Sequence, residues 1–344
     1  MLHDMSVLAR FGEGAPDAAR EVLRVENLSV AFGSKRDRIA LHGVSLTLYA
    51  GAVVALVGES GCGKSLTALS VMGLLPPEAH VLGGSVTVCG HEIIGTPERQ
   101  LRRYRGAVMG MVFQDAMVAL NPLQAVGRQI DEGLRIHTDL GRSDRRTKVV
   151  ALLEAVGVPD PANRLRQLPH QFSGGLWQRI MIAMALIASP ELIIADEPTT
   201  ALDVTIQAQI LEVLKGVTKS QGTAVLFITH DMGVVAEIAD RVVVMYGGRV
   251  IEAADVVGTF ATPAHPYTDA LLHSVPRADS TRGIDLPAIP GMVPAPGGAP
   301  AGCPFRPRCM EATEECLTMP PLEPVLPGHL AACWHPHVAP KEQR

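Results

Sequence analysis

The chain has 344 residues, of which 47% are apolar and 19% are charged, and its formal net charge is −5 at pH 7. This composition excludes global disorder and supplies a full hydrophobic core, and the length suits roughly two domains. The acidic balance argues against nucleic acid as a partner, because nucleic-acid binders usually carry a basic surplus.

The longest apolar stretch, residues 180–188, is far shorter than the ~20 residues of a membrane-spanning helix, so it predicts a buried helix. Residues 1–20 contain acidic side chains and lack the apolar segment of a secretory signal. We therefore expect a flexible lead-in over 1–20 and a cytoplasmic protein, which could still dock on a membrane protein.

The chain after this lead-in begins with two predicted strands. Residues 22–32 alternate apolar and polar side chains as a half-buried strand does, and 53–57 form the continuous apolar run of a strand buried on both faces. A helix is predicted over 65–75, ahead of Pro76 and Pro77. A strand, a glycine-rich turn and a helix in this order are the context of a phosphate-binding loop.

The turn itself reads Gly-Glu-Ser-Gly-Cys-Gly-Lys-Ser over 58–65. Gly58 and Gly63 allow a tight turn whose N–H groups converge on phosphate oxygens, and the following helix adds its positive end. Lys64 is placed to contact the β- and γ-phosphates and Ser65 to ligate Mg²⁺. A chance glycine-rich turn is the alternative. The predicted nucleotide-binding residues are Gly58, Glu59, Ser60, Gly61, Cys62, Gly63, Lys64, Ser65 and Leu66.

Residues 116–170 are richer in helix-forming segments, including an amphipathic helix over 149–156 behind a solvated charge run over 142–148. Ser173, Gly174 and Gly175 then precede a helix that begins near Leu176. Ser173 suits an N-cap, and the two glycines let a phosphate approach bare backbone. Taken alone, this turn is better interpreted as simple helix capping.

From residue 192 the chain alternates again between strands and helices. A buried strand over 192–195 ends at Asp196 and Glu197, where Asp196 suits the Mg²⁺ shell and Glu197 suits the polarisation of an attacking water. A solvated acidic turn is the alternative. Apolar residues between 206 and 217 mark one face of a helix, and a buried strand over 224–228 ends close to His230. Two further strands flank Gly-Gly as a hairpin.

The phosphate loop, the serine–glycine turn and the Asp-Glu pair together resemble the ATP-binding-cassette (ABC) ATPases, and the resemblance covers about residues 22–255. It implies an α/β fold with a P-loop NTPase (RecA-like) core, an antiparallel β subdomain and a helical subdomain at about 116–180. It also implies a nucleotide-binding domain over 21–258 and a small cysteine-containing C-terminal module over 259–344. ATP and Mg²⁺ are the implied cofactors, with ATP bound between two subunits.

The resemblance also implies roles for single residues. Glu197, His230 and Gln114 would be catalytic, Phe32 would stack on adenine, and Asp203 would lie on the loop that crosses to the partner subunit. Taken alone, four of these residues also have a purely structural interpretation. They would be a core aromatic at Phe32, a surface amide at Gln114, a helix cap at Asp203 and a polar residue at a strand end at His230. The implied Mg²⁺ ligands are Ser65, Gln114 and Asp196, and the implied contacts with the nucleotide held by the partner are Ser173, Gly174 and Gly175.

One position departs from the pattern of the ABC ATPases. The family usually has glutamine after Ser-Gly-Gly, whereas this chain has Leu176 followed by Trp177. Leucine cannot donate or accept a hydrogen bond near a bound nucleotide, so the site that this turn forms with a partner's phosphate loop would be weakened. The opposite site, with Lys64 and Glu197 of this chain, keeps its full set.

Several stretches of the chain are similar to the ATPases of oligopeptide, dipeptide and nickel importers. These stretches are residues 113–122, 168–175, 265–268 (the His-Pro-Tyr-Thr motif), 289–291 and 302–309. The resemblance implies ATP hydrolysis that energises binding-protein-dependent import of di- and oligopeptides, at the cytoplasmic face of the membrane. The implied partners are a second ABC ATPase subunit in a heterodimer, two transmembrane permease subunits, and an extracytoplasmic substrate-binding protein reached through the permease. A nickel or other small-solute importer, a non-transport cassette ATPase and a nucleotide sensor remain alternatives.

Four of the six cysteines lie near the end of the chain, at Cys303, Cys309, Cys316 and Cys333, with 5, 6 and 16 residues between them. No two form a C-x₂-C pair, so a zinc ribbon fits poorly. Four thiolates suit a [4Fe–4S] cluster, which the resemblance to peptide importers also implies. Four buried reduced cysteines and a zinc site remain alternatives, with His335 as a substitute ligand. We expect a structural role for the cluster, because the proline-rich tail needs a staple to fold.

Overall fold

The computed structural model describes residues 20–115, 119–200, 202–274 and 289–338. The strands are β1 (Glu21–Phe32), β2 (Arg38–Tyr49), β3 (Val53–Val57), β4 (Ala79–Val88), β5 (His91–Glu92), β6 (Met109–Val112), β7 (Leu192–Asp196), β8 (Ala224–Thr229), β9 (Arg241–Tyr246), β10 (Arg249–Asp255), β11 (Glu323–Leu326) and β12 (His329–Ala331). The α-helices are α1 (Lys64–Val71), α2 (Glu98–Tyr104), α3 (Val126–His137), α4 (Arg142–Ala155), α5 (Pro161–Arg164), α6 (Gly174–Leu186), α7 (Val204–Gln221), α8 (Met232–Ile238), α9 (Val256–Ala261) and α10 (Pro266–His273).

The larger sheet has eight strands in the order β11-β12-β10-β9-β3-β8-β7-β6. Its central strands β9, β3, β8, β7 and β6 are parallel. Every residue of β3, β7 and β8 is buried, as the uninterrupted apolar runs predict for strands covered on both faces. Because these strands are parallel, their carboxyl ends meet at one edge, where α/β proteins bind ligands.

The smaller sheet is antiparallel, in the order β2-β1-β4-β5. The strand predicted over 22–32 is β1, which pairs with β2 on one side and with β4 on the other. Apolar side chains from this sheet and from the larger sheet share one hydrophobic cluster that also includes Ala68 and Val71 of α1. The phosphate-loop helix therefore packs between the two sheets.

Two predicted helices have different bounds in the structure. Helix α1 ends at Val71 rather than at residue 75, because Gly73 adopts φ 63°, a left-handed conformation that ends a helix. The charge run over 142–148 and the helix predicted over 149–156 form one helix, α4, with its apolar side chains in the later turns. Helix α6 is mostly buried, as the apolar stretch 180–188 predicts.

The C-terminal part of the chain, from residue 259 onward, which we call the tail, adds two strands to the larger sheet. Strand β12 pairs with β10, so the core sheet continues across the predicted boundary at residue 258. The carboxylate of Glu252 in β10 is buried and accepts hydrogen bonds from the backbone N–H groups of Ala264 (2.8 Å) and His265 (2.7 Å), and it lies 2.7 Å from Nε2 of His329. In the part of the chain that the structure describes, no helix combines the length and the apolar character needed to span a membrane.

Candidate active site

The phosphate loop joins β3 to α1 at the carboxyl edge of the larger sheet. Gly58 has φ 148°, and a Cβ atom there would overlap the carbonyl oxygen of Met245 and the sulfur of Cys62. Gly63 has φ 106°, and its missing Cβ leaves room for a methyl group of Leu41. Both positions require glycine, because another residue would be strained and would displace its neighbours.

Lys64 is held against the loop that it follows. Its Nζ atom donates hydrogen bonds to the carbonyl oxygens of Gly58 (2.7 Å) and Glu59 (3.0 Å), and the residue is only 5% exposed. A bound phosphate would replace one or both of these carbonyl oxygens as the acceptor. The lysine is therefore already at the loop and needs only a local movement to reach a nucleotide.

Asp196 ends strand β7 and lies beside the phosphate loop. Burial raises the pKa of its carboxyl group, while a hydrogen bond with the Ser65 hydroxyl and the charge of Lys64 lower it in part. Among the described residues its Oδ1 atom has no hydrogen-bond partner. A buried carboxylate oxygen without a partner, next to a serine hydroxyl, suits the oxygen ligands that Mg²⁺ prefers.

Glu197 is the centre of a hydrogen-bonded group of side chains. Its Oε2 atom accepts from Nε2 of Gln114 (3.1 Å) and from the hydroxyl of Thr200 (3.0 Å), and its Oε1 atom lies 3.1 Å from Nδ1 of His230. Burial alone would raise the pKa of Glu197, but the hydrogen bonds with His230 and Thr200 outweigh burial and lower it. The structure therefore brings together the three predicted catalytic residues.

The serine–glycine turn precedes helix α6 and lines a groove. Helix α6 begins at Gly174, two residues before Leu176, so Ser173 occupies its N-cap position, but the Ser173 side chain makes no capping hydrogen bond. Ser173, Gly175 and Asp203 line one open groove of about 950 Å³. Because the serine hydroxyl does not cap its own helix, simple capping does not account for Ser173.

The other predicted site residues have structural partners. Asp203 caps α7, since its side chain accepts a hydrogen bond from the Ile206 N–H at 2.9 Å. Phe32 is half-buried at the end of β1. Leu176 is partly buried against the helical core and also lines the groove. Ala201 and residues 116–118 lie outside the described residues.

The cysteine prediction is not supported as a preassembled ligand set. Among the described residues no three His, Cys, Asp or Glu side chains come close enough together to hold a metal ion. The four tail cysteines line one enclosed cavity, but its free volume is only about 10 Å³, too small for a four-iron cluster without movement of side chains. Burial raises the pKa of Cys303 and Cys309, and raises that of Cys333 to about 11.

His265 lines the same cavity and is fully buried. Its Nδ1 atom accepts a hydrogen bond from the Tyr267 N–H at 3.0 Å, so the neutral ring carries its proton on Nε2. That Nε2 atom has no partner among the residues that the structure describes. The cavity therefore has four thiols and one unpaired buried donor on its wall.

Sequence reasoning missed three contacts at this edge of the sheet. Thr200 was not predicted to bind Glu197, although it follows in the same turn. Tyr267 and Arg308, both from the tail, contact Glu59 of the phosphate loop. The His-Pro-Tyr motif marked Tyr267 as distinctive, but nothing local in the sequence pairs it with a residue 208 positions earlier.

Fold and site together define a nucleotide-hydrolysing domain of the P-loop class, with a phosphate loop after β3 and a hydrogen-bonded carboxylate after β7 at the same edge of the sheet. The chain matches the ABC transporter family over residues 41–200 and the oligopeptide/dipeptide transporter C-terminal region over residues 251–316.

The chain is also similar to individual proteins along most of its length. It is 46% identical to the oligopeptide transport ATP-binding protein OppD of Salmonella typhimurium, over 94% of this chain and 96% of that protein. It is 47% identical to the dipeptide transport ATP-binding protein DppD of Bacillus subtilis, over 91% and 94%. The dimeric post-hydrolysis structure of the ATP-binding cassette MJ0796 with ADP and phosphate matches at a TM-score of 0.62 and 26% identity, over 68% of this chain and 98% of that one. The chain belongs to the ATP-binding subunits of the oligopeptide and dipeptide ABC transporters.

Proposed function

We propose that this chain hydrolyses ATP to drive the import of di- and oligopeptides through a membrane permease. The observation that carries the proposal is the group around Glu197, in which Gln114, Thr200 and His230 hold one carboxylate beside the phosphate loop. These contacts favour the ionised carboxylate, which is the form that can accept a proton from water.

Each side chain has a distinct task in this reaction. Glu197 accepts the proton of the attacking water, while Gln114 and His230 fix the carboxylate and are placed to contact the γ-phosphate. Lys64 transfers its hydrogen bonds from the loop carbonyls to the phosphates. Ser65 and Asp196, with Gln114, would hold Mg²⁺, which neutralises charge on the β- and γ-phosphate oxygens when bound.

We propose a dimer in which the Ser173–Gly175 turn covers the nucleotide on the partner's phosphate loop. The exposed serine, its groove and the neighbouring Asp203 support this assignment, as does the similarity to a cassette whose structure is dimeric. Two cassettes would close on ATP and pass that movement to two permease subunits at the cytoplasmic face, supplied by an extracytoplasmic binding protein. A partner of non-identical sequence would make the two ATP sites unequal, since Leu176 cannot hydrogen-bond.

The test is ATP hydrolysis by a complex reconstituted in vesicles with the permease and the binding protein. We expect peptides to stimulate turnover, and the Glu197→Gln variant to lose about 10²- to 10⁴-fold in rate while it still binds ATP. Glu237→Gln is the matched control, because Glu237 pairs with Lys215 at the surface (3.1 Å) away from the site. Equal rates for wild type and Glu197→Gln would contradict the catalytic assignment.

Stimulation by nickel chelates but not by peptides would favour the small-solute importer over the peptide importer. Turnover that no solute stimulates in the complete complex would favour a non-transport ATPase. A chain that binds ATP but never hydrolyses it would be a nucleotide sensor.

We also propose that the tail cysteines bind a [4Fe–4S] cluster with a structural role. The support is that all four line one cavity, together with the unpaired Nε2 donor of His265. Four thiols, two buried and two partly buried, match the donor set of such a cluster in kind and number. The described residues do not form a ready-made site for a single zinc ion either, so metal analysis has to distinguish the two groups.

Iron and sulfide analysis of anaerobically purified protein decides between these outcomes. We expect about four irons and four sulfides per chain. Stoichiometric zinc would contradict the cluster, and the absence of both metals would leave four reduced structural cysteines.

A further inference from the structure

The phosphate loop is held in place by residues of the C-terminal tail. Glu59, the second residue of the loop, donates its backbone N–H to the hydroxyl of Tyr267 at 2.8 Å. Its carboxylate accepts two hydrogen bonds from Arg308, one from Nη1 (2.7 Å) and one from Nη2 (3.0 Å). Backbone and side chain of one loop residue are therefore bound by two tail residues, which together with Glu59 we call the loop clamp.

Arg308 is a rigid partner for Glu59. Its side chain is only 5% exposed, and it also donates to the carbonyl oxygens of Pro290 (2.6 Å) and Ile289 (3.1 Å) and to the hydroxyl of Tyr246 (3.2 Å). Paired, planar hydrogen bonds between arginine and carboxylate are both stronger and more directional than a single ion pair. The guanidinium is therefore fixed from all sides and in turn fixes the carboxylate.

Tyr267 is equally immobile. It is fully buried, and its ring packs edge-on against Tyr246 (4.7 Å between centroids) and Phe305 (5.3 Å). Its hydroxyl can accept from the Glu59 N–H only while the tail keeps this position. The aromatic cluster therefore transmits the position of the tail to the backbone of the loop.

The bound segment is the one that holds Lys64, the lysine predicted to contact the phosphates. Lys64 donates to the carbonyl oxygens of Gly58 and Glu59, which lie on either side of the N–H that Tyr267 accepts. A shift of Glu59 would move both carbonyl groups and the lysine with them. We propose that Tyr267 and Arg308 are positioning residues for the phosphate loop, so that the affinity for ATP depends on the C-terminal tail. This role rests on the proposed function only in taking ATP as the nucleotide.

The test is equilibrium binding of Mg-ATP to the full chain, together with steady-state hydrolysis. For Arg308→Gln and Tyr267→Phe we expect the Kd and the KM for ATP to rise about tenfold, with kcat changed less than about twofold, because the clamp acts on ground-state binding. Arg308→Lys keeps the charge but not the paired hydrogen bonds, so it should restore only part of the affinity.

The matched control is Arg145→Gln. Arg145 forms a partly buried ion pair with Asp131 (Nε to Oδ1, 2.7 Å) in the helical region, far along the chain from the loop. We expect this variant to bind ATP as the wild type does. A rise of the same size in the control would show a general loss of stability and would overturn the proposal.

A double-mutant cycle separates positioning from support of the tail. If the clamp acts through Glu59, the Glu59→Gln and Arg308→Gln effects on Kd are not multiplicative, and the double variant binds ATP about as well as either single variant. Independent, multiplicative effects would overturn the proposal.

If Arg308→Gln fails to fold, Tyr267→Phe decides alone, since it removes one oxygen atom and keeps the packed ring. Unchanged ATP affinity in a folded Tyr267→Phe protein would then contradict the role. Direct binding keeps this outcome separate from any failure of hydrolysis or transport.

Discussion

Two regions of the molecule differ in how far their side chains are already in place to bind a ligand. One is the carboxyl edge of the larger sheet, with Lys64 and Glu197, which we call the nucleotide edge. The other is the cavity lined by the four tail cysteines. At the nucleotide edge, Glu197 has three side-chain partners and Lys64 already lies on its loop. At the cavity, the four thiols share a wall but do not converge on a metal position within the described residues. Polar groups that bond to one another fold into position without a ligand, whereas thiols, which are weak hydrogen-bond partners, need the ligand to bring them together.

The largest effect is expected from the glycines that shape the phosphate loop. In Gly58→Ala the new methyl group would overlap the Met245 carbonyl oxygen and the Cys62 sulfur, at a φ of 148° that alanine disfavours. We expect ATP binding to fall at least about 100-fold, since the N–H groups no longer converge. Fluorescence titration with a nucleotide analogue measures the loss.

The matched control for this glycine is Gly90→Ala. Gly90 also has a positive φ, 79°, but nothing lies within 4 Å of its missing Cβ. We expect a loss of only about 1 kcal/mol in the free energy of unfolding, and unchanged ATP affinity. Equal ATP affinity in the two variants would show that the loop tolerates the overlap, and the nucleotide edge would be less preorganised than we argue.

The second prediction concerns the pH dependence of hydrolysis. The pKa of Glu197 is lowered because its hydrogen bonds with His230 and Thr200 outweigh burial, so the wild-type carboxylate stays ionised until the pH falls below its usual range near 4.3. Replacing both partners, in His230→Ala with Thr200→Val, leaves burial, the largest influence, opposed by the charge of Lys64. We expect the pKa to rise above the usual value, and hydrolysis to be lost at a higher pH as the medium becomes more acidic.

The profile of kcat against pH from about 5 to 8 measures this shift, because an acidic limb then enters the range where hydrolysis is followed. We also expect kcat at the plateau to fall by about tenfold or more, since we propose that His230 contacts the γ-phosphate. An acidic limb at the same pH in wild type and double variant would show that the hydrogen bonds do not control the ionisation of Glu197.

Sequence reasoning recovered the parts of the fold whose signals are local. The uninterrupted apolar runs of β3, β7 and β8, and the loop between β3 and α1, were predicted from short stretches of chain. The resemblance to ABC ATPases singled out Gln114 and His230 as contacts of the γ-phosphate, and only the structure shows that both bind Glu197. Bounds that depend on one turn, such as the end of α1 at Val71 ahead of Gly73, were missed by a few residues.

Contacts between distant parts of the chain were not predictable in this way. The pairing of β12 with β10 and the contact of Arg308 with Glu59 each depend on how the tail folds back on the sheet. Arg308 stands in a stretch that was noted for its cysteines, and no local pattern marks it as the partner of a loop carboxylate. Hydrophobic periodicity predicts which face of an element is buried, but not which distant residue covers it.

The third prediction tests the tail. In Cys316→Ser a buried thiol becomes a hydroxyl, which ligates iron poorly. We expect iron to be lost from anaerobically purified protein. The melting temperature should fall by about 2–4 °C for each kcal/mol of lost stability. ATP affinity should change less than it does in Gly58→Ala. Cys89→Ser is the control, because Cys89 is far from the cavity in sequence and does not line it. Equal iron content in the two variants would contradict a cluster at this cavity.

The smallest effect is expected at Leu176, where the chain departs from its family. Leu176 is partly buried against the helical core and also lines the groove beside Ser173, so it serves packing and contributes no hydrogen bond to that groove. In Leu176→Gln we expect turnover of the assembled dimer to rise by about two- to fivefold, because one hydrogen bond is worth about 1 kcal/mol. The lost apolar contact should lower the free energy of unfolding by about the same amount.

Leu176→Met separates hydrogen bonding from shape, because methionine keeps the volume and the apolar character of leucine and offers only a weak acceptor. We expect wild-type turnover in this variant. If methionine raised turnover as much as glutamine does, the limit at this site would be packing of α6 rather than a missing hydrogen bond. The groove beside Ser173 would then depend on side-chain packing, and the contrast with the cysteine cavity would rest on the hydrogen-bonded group around Glu197 alone.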